Sequence, residues 1–277
     1  MPELPEVEAV RRQLEPVMRG ATFDRVIVRR PDLRRPFPPR FAARLRGQGV
    51  RELNRRGKYL LADLSSDETL IVHFGMSGAF RVNGSRVDED IHDHVAFVMS
   101  SGAVVTFNDP RRFGLMDLAA TASLDEHPSI GALGPEPLSR EFNAVSLARA
   151  LARKTIALKV ALLDQRVVAG VGNIYASEAL HLARLSPSSP AGTMASSDGS
   201  PHETTFRLTA AIKRVLRAAI GRQGGYRGSR FRVYDREDER CFTPGCTGLI
   251  ARVDQAGRST FFCPVCQRPQ ARRRSTV

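Results

Sequence analysis

The sequence runs to 277 residues with 42% hydrophobic and 26% charged side chains, enough chain for about two domains that each bury a core. That excludes a disordered segment, a fibrous protein and a bare zinc module. Lysine and arginine number 42 against 29 acidic residues, a formal net charge of +13, so a polyanionic partner is expected.

The excess is distributed along the chain. Between Gly221 and Val277 there are 12 arginines and 5 acidic residues, and the rest of the surplus lies in the first 220 residues, which suits a long nucleic-acid footprint. Only four of the basic residues are lysines: Lys58, Lys154, Lys159 and Lys213. Lysine can give up its proton near neutral pH and arginine cannot, so a lysine within RELNRRGKYLL draws attention as a chemical group, although coding bias explains the arginine excess equally well. No run reaches the roughly 18 apolar residues of a membrane span, and no basic amphipathic helix suggests a membrane surface. MPELPEVEAV lacks the basic-then-apolar order of a secretory signal, so a cytoplasmic protein is expected.

Along the chain, Val7, Val10, Leu14 and Val17 recur at helical spacing, with Pro5 suited to a first turn and Glu6 and Glu8 near the positive end of the dipole. One helix is predicted over residues 5–19. From there to about residue 120 the pattern changes to short alternating or apolar runs: TFDRVIVRR, GVRELN, KYLLADL, TLIVHF, GAFRV, HVAFVMS, AVVTFND and GLMDL, with turns at Asn83-Gly84 and Ser101-Gly102. A sandwich of antiparallel sheets is the simplest outcome. HPSIGALGPEPLSREF, residues 127–142, carries three prolines and two glycines without periodicity and reads as a linker. Four helices follow, in SLARALARK, TIALKVALLDQ, NIYASEALHLARL and HETTFRLTAAIKRVLRAAIGRQ, with a Ser/Pro/Gly loop at 186–201 before the last.

All four cysteines fall near the end: Cys241, Cys246, Cys263 and Cys266. Two closely spaced pairs on two turns converge on one tetrahedral Zn²⁺, and TGLIARVDQAGRSTFF between them reads as two short strands around a turn at Ala256-Gly257. Disulfides are the alternative, disfavoured in a cytoplasmic chain. Four thiolates leave no open position, so one structural rather than catalytic ion is expected. Arg258 sits beside the hairpin turn as a DNA contact or a solvated turn residue.

VVAGVGNIYASEAL is not a dinucleotide fingerprint, because Tyr175 stands at the third glycine position and no strand-helix-strand unit surrounds it. It reads as a turn between helices, with Gly170 and Gly172 permitting close backbone approach and Asn173 opening the next helix, as a phosphate site or an ordinary cap.

At the start, removal of the initiator Met leaves Pro2 with a free secondary amine, a nucleophile toward a sugar carbon, and Glu3 is a neighbouring acid/base. By residue type alone the pair serves equally as a helix lead-in.

PELPEVE at the start, GKYLL around Lys58, HFGMSG at 73–78, HDHVAF at 92–97, NDPRRFG at 108–114, LGPEPL at 133–138, GVGNIYASEAL at 170–180 and the four-cysteine end together resemble the bacterial formamidopyrimidine-DNA glycosylases. PELPE rather than PEGPE favours this branch over the similar endonuclease VIII branch. The resemblance implies an α+β, multi-domain protein: an N-terminal antiparallel β-sandwich catalytic domain with a flanking helix over residues 1–126, the linker 127–142, a helix-two-turn-helix DNA-binding domain over 143–232, a zinc-bound β-hairpin over 233–270 and a basic tail over 271–277.

It further implies a bifunctional glycosylase and abasic-site lyase of base excision repair. Such an enzyme excises 8-oxoguanine and formamidopyrimidines through a Schiff base on Pro2, with Glu3 as acid/base partner and Lys58 contacting phosphate and assisting proton transfer, then cleaves the strand by β,δ-elimination. By the same resemblance Asn173 and Arg258 hold flanking phosphates, His92 and Arg111 contact DNA, and Met76, Arg111 and Phe113 fill the void left by the extruded base. Without it Met76 and Phe113 read as core residues. His73, His92 and His94 are read as structural with respect to metal, and Glu6 as stabilising the helix dipole.

The implied partner is double-stranded DNA with oxidised bases or abasic sites, the protein a monomer, the place a bacterial cytoplasm and nucleoid. Two departures stand out. Four residues, not two, separate the first cysteine pair, which still permits tetrahedral ligation, and the segment at 226–232 is short where a loop capping the lesion is expected, so a more open site favouring formamidopyrimidines or oxidised pyrimidines over 8-oxoguanine is an alternative, as in an endonuclease VIII-like enzyme. From a different class, the alternative is a non-catalytic zinc-containing binder of damaged DNA.

Overall fold

The computed structural model describes residues 2–83, 90–222 and 230–269. Gly84 of the expected Asn83-Gly84 turn, most of the short segment at 226–232 and the tail 271–277 lie outside the described residues. The chain divides into two compact units, Met1–Gly131 and Ala132–Val277, and the division falls inside the proline- and glycine-bearing segment 127–142.

The first unit opens with α1 (Leu4–Met18), which has Pro5 in its first turn and buries Leu4, Val7, Leu14 and Met18 along one stripe. The strands follow in order: β1 (Phe23–Val28), β2 (Val50–Arg56), β3 (Tyr59–Leu64), β4 (Glu68–His73), β5 (Ala79–Asn83), β6 (Asp93–Met99), β7 (Val104–Asn108) and β8 (Leu115–Ala120). They form two four-stranded antiparallel sheets, ordered β1-β6-β7-β5 and β2-β3-β4-β8. Both sheets give side chains to one core, in which Phe80 meets Phe107 at 5.2 Å and Phe74 at 5.8 Å edge to face, and Phe23 meets Phe97 at 5.3 Å. Fully burying side chains of this size contributes roughly 1.5–3 kcal/mol each.

Two local features differ from expectation. The strand β5 pairs with β7 rather than with β6, so Asn83-Gly84 does not close a hairpin between consecutive strands. A short helix, α2 (Phe41–Leu45), interrupts the β-rich stretch. Its five residues span little more than one turn, too few to leave a periodic signal.

In the second unit α3 (Ala144–Leu151), α4 (Leu158–Leu163), α5 (Asn173–Leu182) and α6 (Glu203–Ile220) surround a core of Leu147, Leu162, Val168, Leu180, Leu208 and Leu216. Asn143 caps α3, its Oδ1 accepting the backbone N–H groups of Val145 and Ser146. The antiparallel hairpin of β9 (Ala251–Gln255) and β10 (Arg258–Phe262) turns at Ala256 and Gly257, both at positive φ. Glu178 of α5, 6% exposed, accepts the N–H groups of Arg232, Val233 and Tyr234 and ties the approach to the hairpin onto that helix. Among the described residues no helix is long and apolar enough to cross a membrane.

Candidate active site and metal centre

The polypeptide start is pinned by α1. Glu3 is the N-cap, and its N–H donates to Glu6 Oε2 at 3.0 Å while its own carboxylate accepts the Glu6 N–H. Glu3 is 2% exposed and Pro2 half-buried, so a carboxyl at the positive end of a helix dipole is held next in sequence to the Pro2 nitrogen. Glu6 therefore fixes the Glu3 backbone, a job that dipole stabilisation alone does not describe.

Lys58 follows Gly57, which takes φ +57° in the tight connection between β2 and β3, and it is buried. The next residue, Tyr59, pairs with His73 across β3 and β4, the rings 4.8 Å apart. Burial, and then the charges of Lys58 and Arg34, push the His73 imidazole down to about 4, so it is neutral at pH 7. Its Nδ1 accepts the Gly75 N–H at 3.1 Å, which steadies the turn that carries Met76.

That turn interlocks with the one carrying Arg111 and Phe113. Gly75 has φ +61°, and a Cβ there would lie 2.3 Å from the Phe113 carbonyl carbon. Asp109, fully buried, accepts the Ser77 hydroxyl at 2.5 Å and the Gly114 N–H at 2.7 Å, and Ser77 Oγ accepts the Arg111 N–H at 3.1 Å. His94 Nε2 meets the Asp109 carbonyl at 2.9 Å, and the Asp109 N–H donates to the carbonyl of half-buried His92. On this frame Met76 is 44% and Phe113 42% exposed, and the Arg111 guanidinium lies 5.0 Å from the Phe113 ring centre. Two large apolar side chains and an arginine thus stand in solvent on rigid turns, which corrects the reading of Met76 and Phe113 as core residues.

In the second unit the structure brings Asn173 and Arg258 together. Gly172 is the N-cap of α5 and Asn173 its first residue, so the Asn173 side chain is no cap. Its Nδ2 donates to the carbonyl of Ser259, the neighbour of exposed Arg258. The joint is closed by Lys159, 0% exposed, whose Nζ donates to Asn173 Oδ1 at 2.5 Å, Thr260 Oγ1 at 2.7 Å and the Ser259 carbonyl at 3.2 Å. Sequence reasoning assigned Lys159 no site; the scarcity of lysine in an arginine-rich chain was its only signal. Asp109 and Ser77 were likewise missed, although both lie within quoted motifs.

The four cysteine sulfurs lie within 4.8 Å of one another, with separations of 3.9 Å (Cys241–Cys266), 3.7 Å (Cys246–Cys263) and 3.3 Å (Cys246–Cys266). A tetrahedral ion with metal–sulfur bonds of about 2.3 Å holds its sulfurs about 3.8 Å apart, so the cluster fits a structural metal despite the wider first pair. Burial pushes the Cys263 thiol up to about 12, so a thiolate there needs a cation beside it.

Comparison with known proteins decides the family. The family model of the formamidopyrimidine-DNA glycosylase N-terminal domain matches residues 1–116, and that of the formamidopyrimidine-DNA glycosylase H2TH domain matches residues 133–230. The chain belongs to the formamidopyrimidine-DNA glycosylase family. Family relatives from Rhodopseudomonas palustris (strain HaA2) and Azorhizobium caulinodans are 53% and 52% identical, over 96% and 97% of this chain and all of theirs. Among solved structures of the family, the Thermus thermophilus protein is 38% identical with a TM-score of 0.82, over 98% of this chain and 100% of its own. The Lactococcus lactis enzyme, bound non-covalently to DNA containing an abasic site, is 30% identical with a TM-score of 0.86, over 96% of this chain and 99% of its own.

Proposed function

We propose that this base-excision DNA glycosylase removes formamidopyrimidines and 8-oxoguanine from double-stranded DNA and then acts as an abasic-site lyase through the amine of Pro2. After removal of Met1, the Pro2 nitrogen attacks the anomeric carbon of the damaged nucleotide and the base departs as its glycosidic bond breaks. Glu3 donates a proton to the sugar ring oxygen as the ring opens to an iminium ion on the Pro2 nitrogen, and later removes protons. Lys58 contacts phosphate and assists proton transfer. Loss of the 3′ and then the 5′ phosphate by β,δ-elimination cuts the strand.

The target nucleotide must leave the stack to be reached, at an unstacking cost of a few kcal/mol. Met76 and Phe113 offset part of that cost as wedges, Arg111 bonds the widowed base, and His92, Asn173 and Arg258 hold the backbone. The ion is zinc, held by Cys241, Cys246, Cys263 and Cys266; it supplies structure to the hairpin and no catalytic group.

The observation that carries the reading is the exposed Met76–Arg111–Phe113 group on turns locked by Asp109, in a chain about half identical to full-length family relatives. The test is borohydride reduction with abasic-site or 8-oxoguanine duplex. A covalent adduct that maps to Pro2 is expected, and its absence from Met-processed protein favours a non-catalytic binder. The Lactococcus lactis protein has been crystallised with DNA containing an oxidised pyrimidine, so a panel of oxidised purines and pyrimidines assayed with one preparation decides the lesion class.

A further inference from the structure

The helix that opens at Asn173 also reaches the cysteine cluster. Two turns further on, His181 is 3% exposed and its Nε2 lies 3.3 Å from Sγ of Cys241. Its Nδ1 is buried without a hydrogen-bond partner among the described residues, so the sulfur is the one polar group these ring nitrogens meet. A metal-bound thiolate has lone pairs and no proton, so this contact is attractive only if the imidazole donates from Nε2.

We propose that His181 is a positioning residue for the metal centre, donating Nε2–H to the Cys241 thiolate and so fastening the cysteine knuckle to α5. The inference rests on the reading of the four cysteines as a metal site and extends it beyond the ligands themselves. Two consequences follow from the chemistry. A hydrogen bond to a ligand sulfur fixes the orientation of that sulfur toward the ion. The bond also restrains a loop that has more freedom to lose than a two-residue knuckle, because Phe242, Thr243, Pro244 and Gly245 separate Cys241 from Cys246. With Asn173 bonded to Ser259 at one end of α5 and His181 to Cys241 near the other, the hairpin that carries Arg258 is held to one rigid helix at two points.

The test uses intact protein with its native metal. The metal is counted by mass spectrometry in the wild type and in His181→Phe, His181→Leu and His181→Gln, and its transfer to a chromophoric chelator is timed. Phe and Leu fill the buried space without a donor and should release the ion at least about tenfold faster, whereas the Gln amide reaches the position of Nε2 and should restore most of the retention. Equal release rates in all four proteins overturn the proposal. Should the apolar variants fail to fold, ¹⁵N NMR of the wild type decides, since an Nε2–H tautomer for His181 is required and an Nδ1–H tautomer overturns it. A wild-type preparation without metal defeats the metal reading instead, whereas one ion per chain with unchanged release defeats only the role of His181.

Discussion

Lys159 donates to Oδ1 of Asn173 at 2.5 Å while also bonding Thr260 and the Ser259 carbonyl, so one buried cation sets the spacing between the start of α5 and the strand that carries Arg258. Lys159→Met removes these donors and leaves Asn173 Oδ1 without its partner, at about 1–3 kcal/mol, while the Ser259 carbonyl keeps the Asn173 amide and the Thr260 hydroxyl keeps Gln255. The melting temperature should fall by several degrees and affinity for abasic-site duplex about tenfold, read by calorimetry and fluorescence anisotropy. Affinity within twofold of wild type would show that Lys159 does not align the two residues.

Arg258 is exposed at the first position of β10. Arg258→Ala should weaken binding to all sequences alike and lower the slope of log affinity against log salt by about one phosphate contact. An unaltered slope removes Arg258 from the interface.

Asp109 holds both turns of the exposed group. Asp109→Ala strands the Ser77 hydroxyl and the Gly114 N–H, and should destabilise the first unit by about 2–4 kcal/mol while lowering excision more than binding to abasic-site DNA. Asp109→Asn keeps one acceptor oxygen and should fall between. Excision at the wild-type rate in a destabilised Asp109→Ala protein would detach the turns from function.

The imidazole of His73 should stay neutral down to about pH 4. A histidine whose pKa is lower in the folded state than in the unfolded one binds fewer protons when folded. Its contribution to stability is full above the ordinary value of 6.5, is lost as pH falls from 6.5 toward about 4, and is constant below that. An NMR titration of the His73 ring carbons checks this, and a midpoint near 6.5 would contradict it.

Metal removal should act on binding rather than chemistry. Because ligand thiols must lose protons, retention should weaken as pH falls, and metal uptake should release protons measurable in weakly buffered solution. Chelated protein should bind duplex several-fold more weakly yet still form the Pro2 adduct at saturating DNA. Loss of the adduct under those conditions would give the metal a role in the reaction itself.

Much of this arrangement is legible in the chain. Strand and helix periodicity marks α1, the eight strands of the first unit and the four α-helices of the second, because amphipathic burial repeats every two or 3.6 residues. The cysteine spacing marks the metal centre, because two short loops are enough to bring four thiols together. The short helix α2 and the pairing of β5 with β7 escape notice, since a helix of five residues has no period and the choice of strand partner depends on chain far from the strand itself.

Residue order alone is enough for the strands and helices with a burial period, the basic character and the residue types able to do chemistry. It took the folded chain to show that Met76 and Phe113 stand in solvent, that Asp109 locks their turns, that Lys159 joins Asn173 to the hairpin and that His181 meets Cys241. Local propensity acts over a few neighbouring residues, whereas the burial of a polar group, and the partner that satisfies it, are set by chain segments as far apart as Lys159 and Thr260, 101 residues.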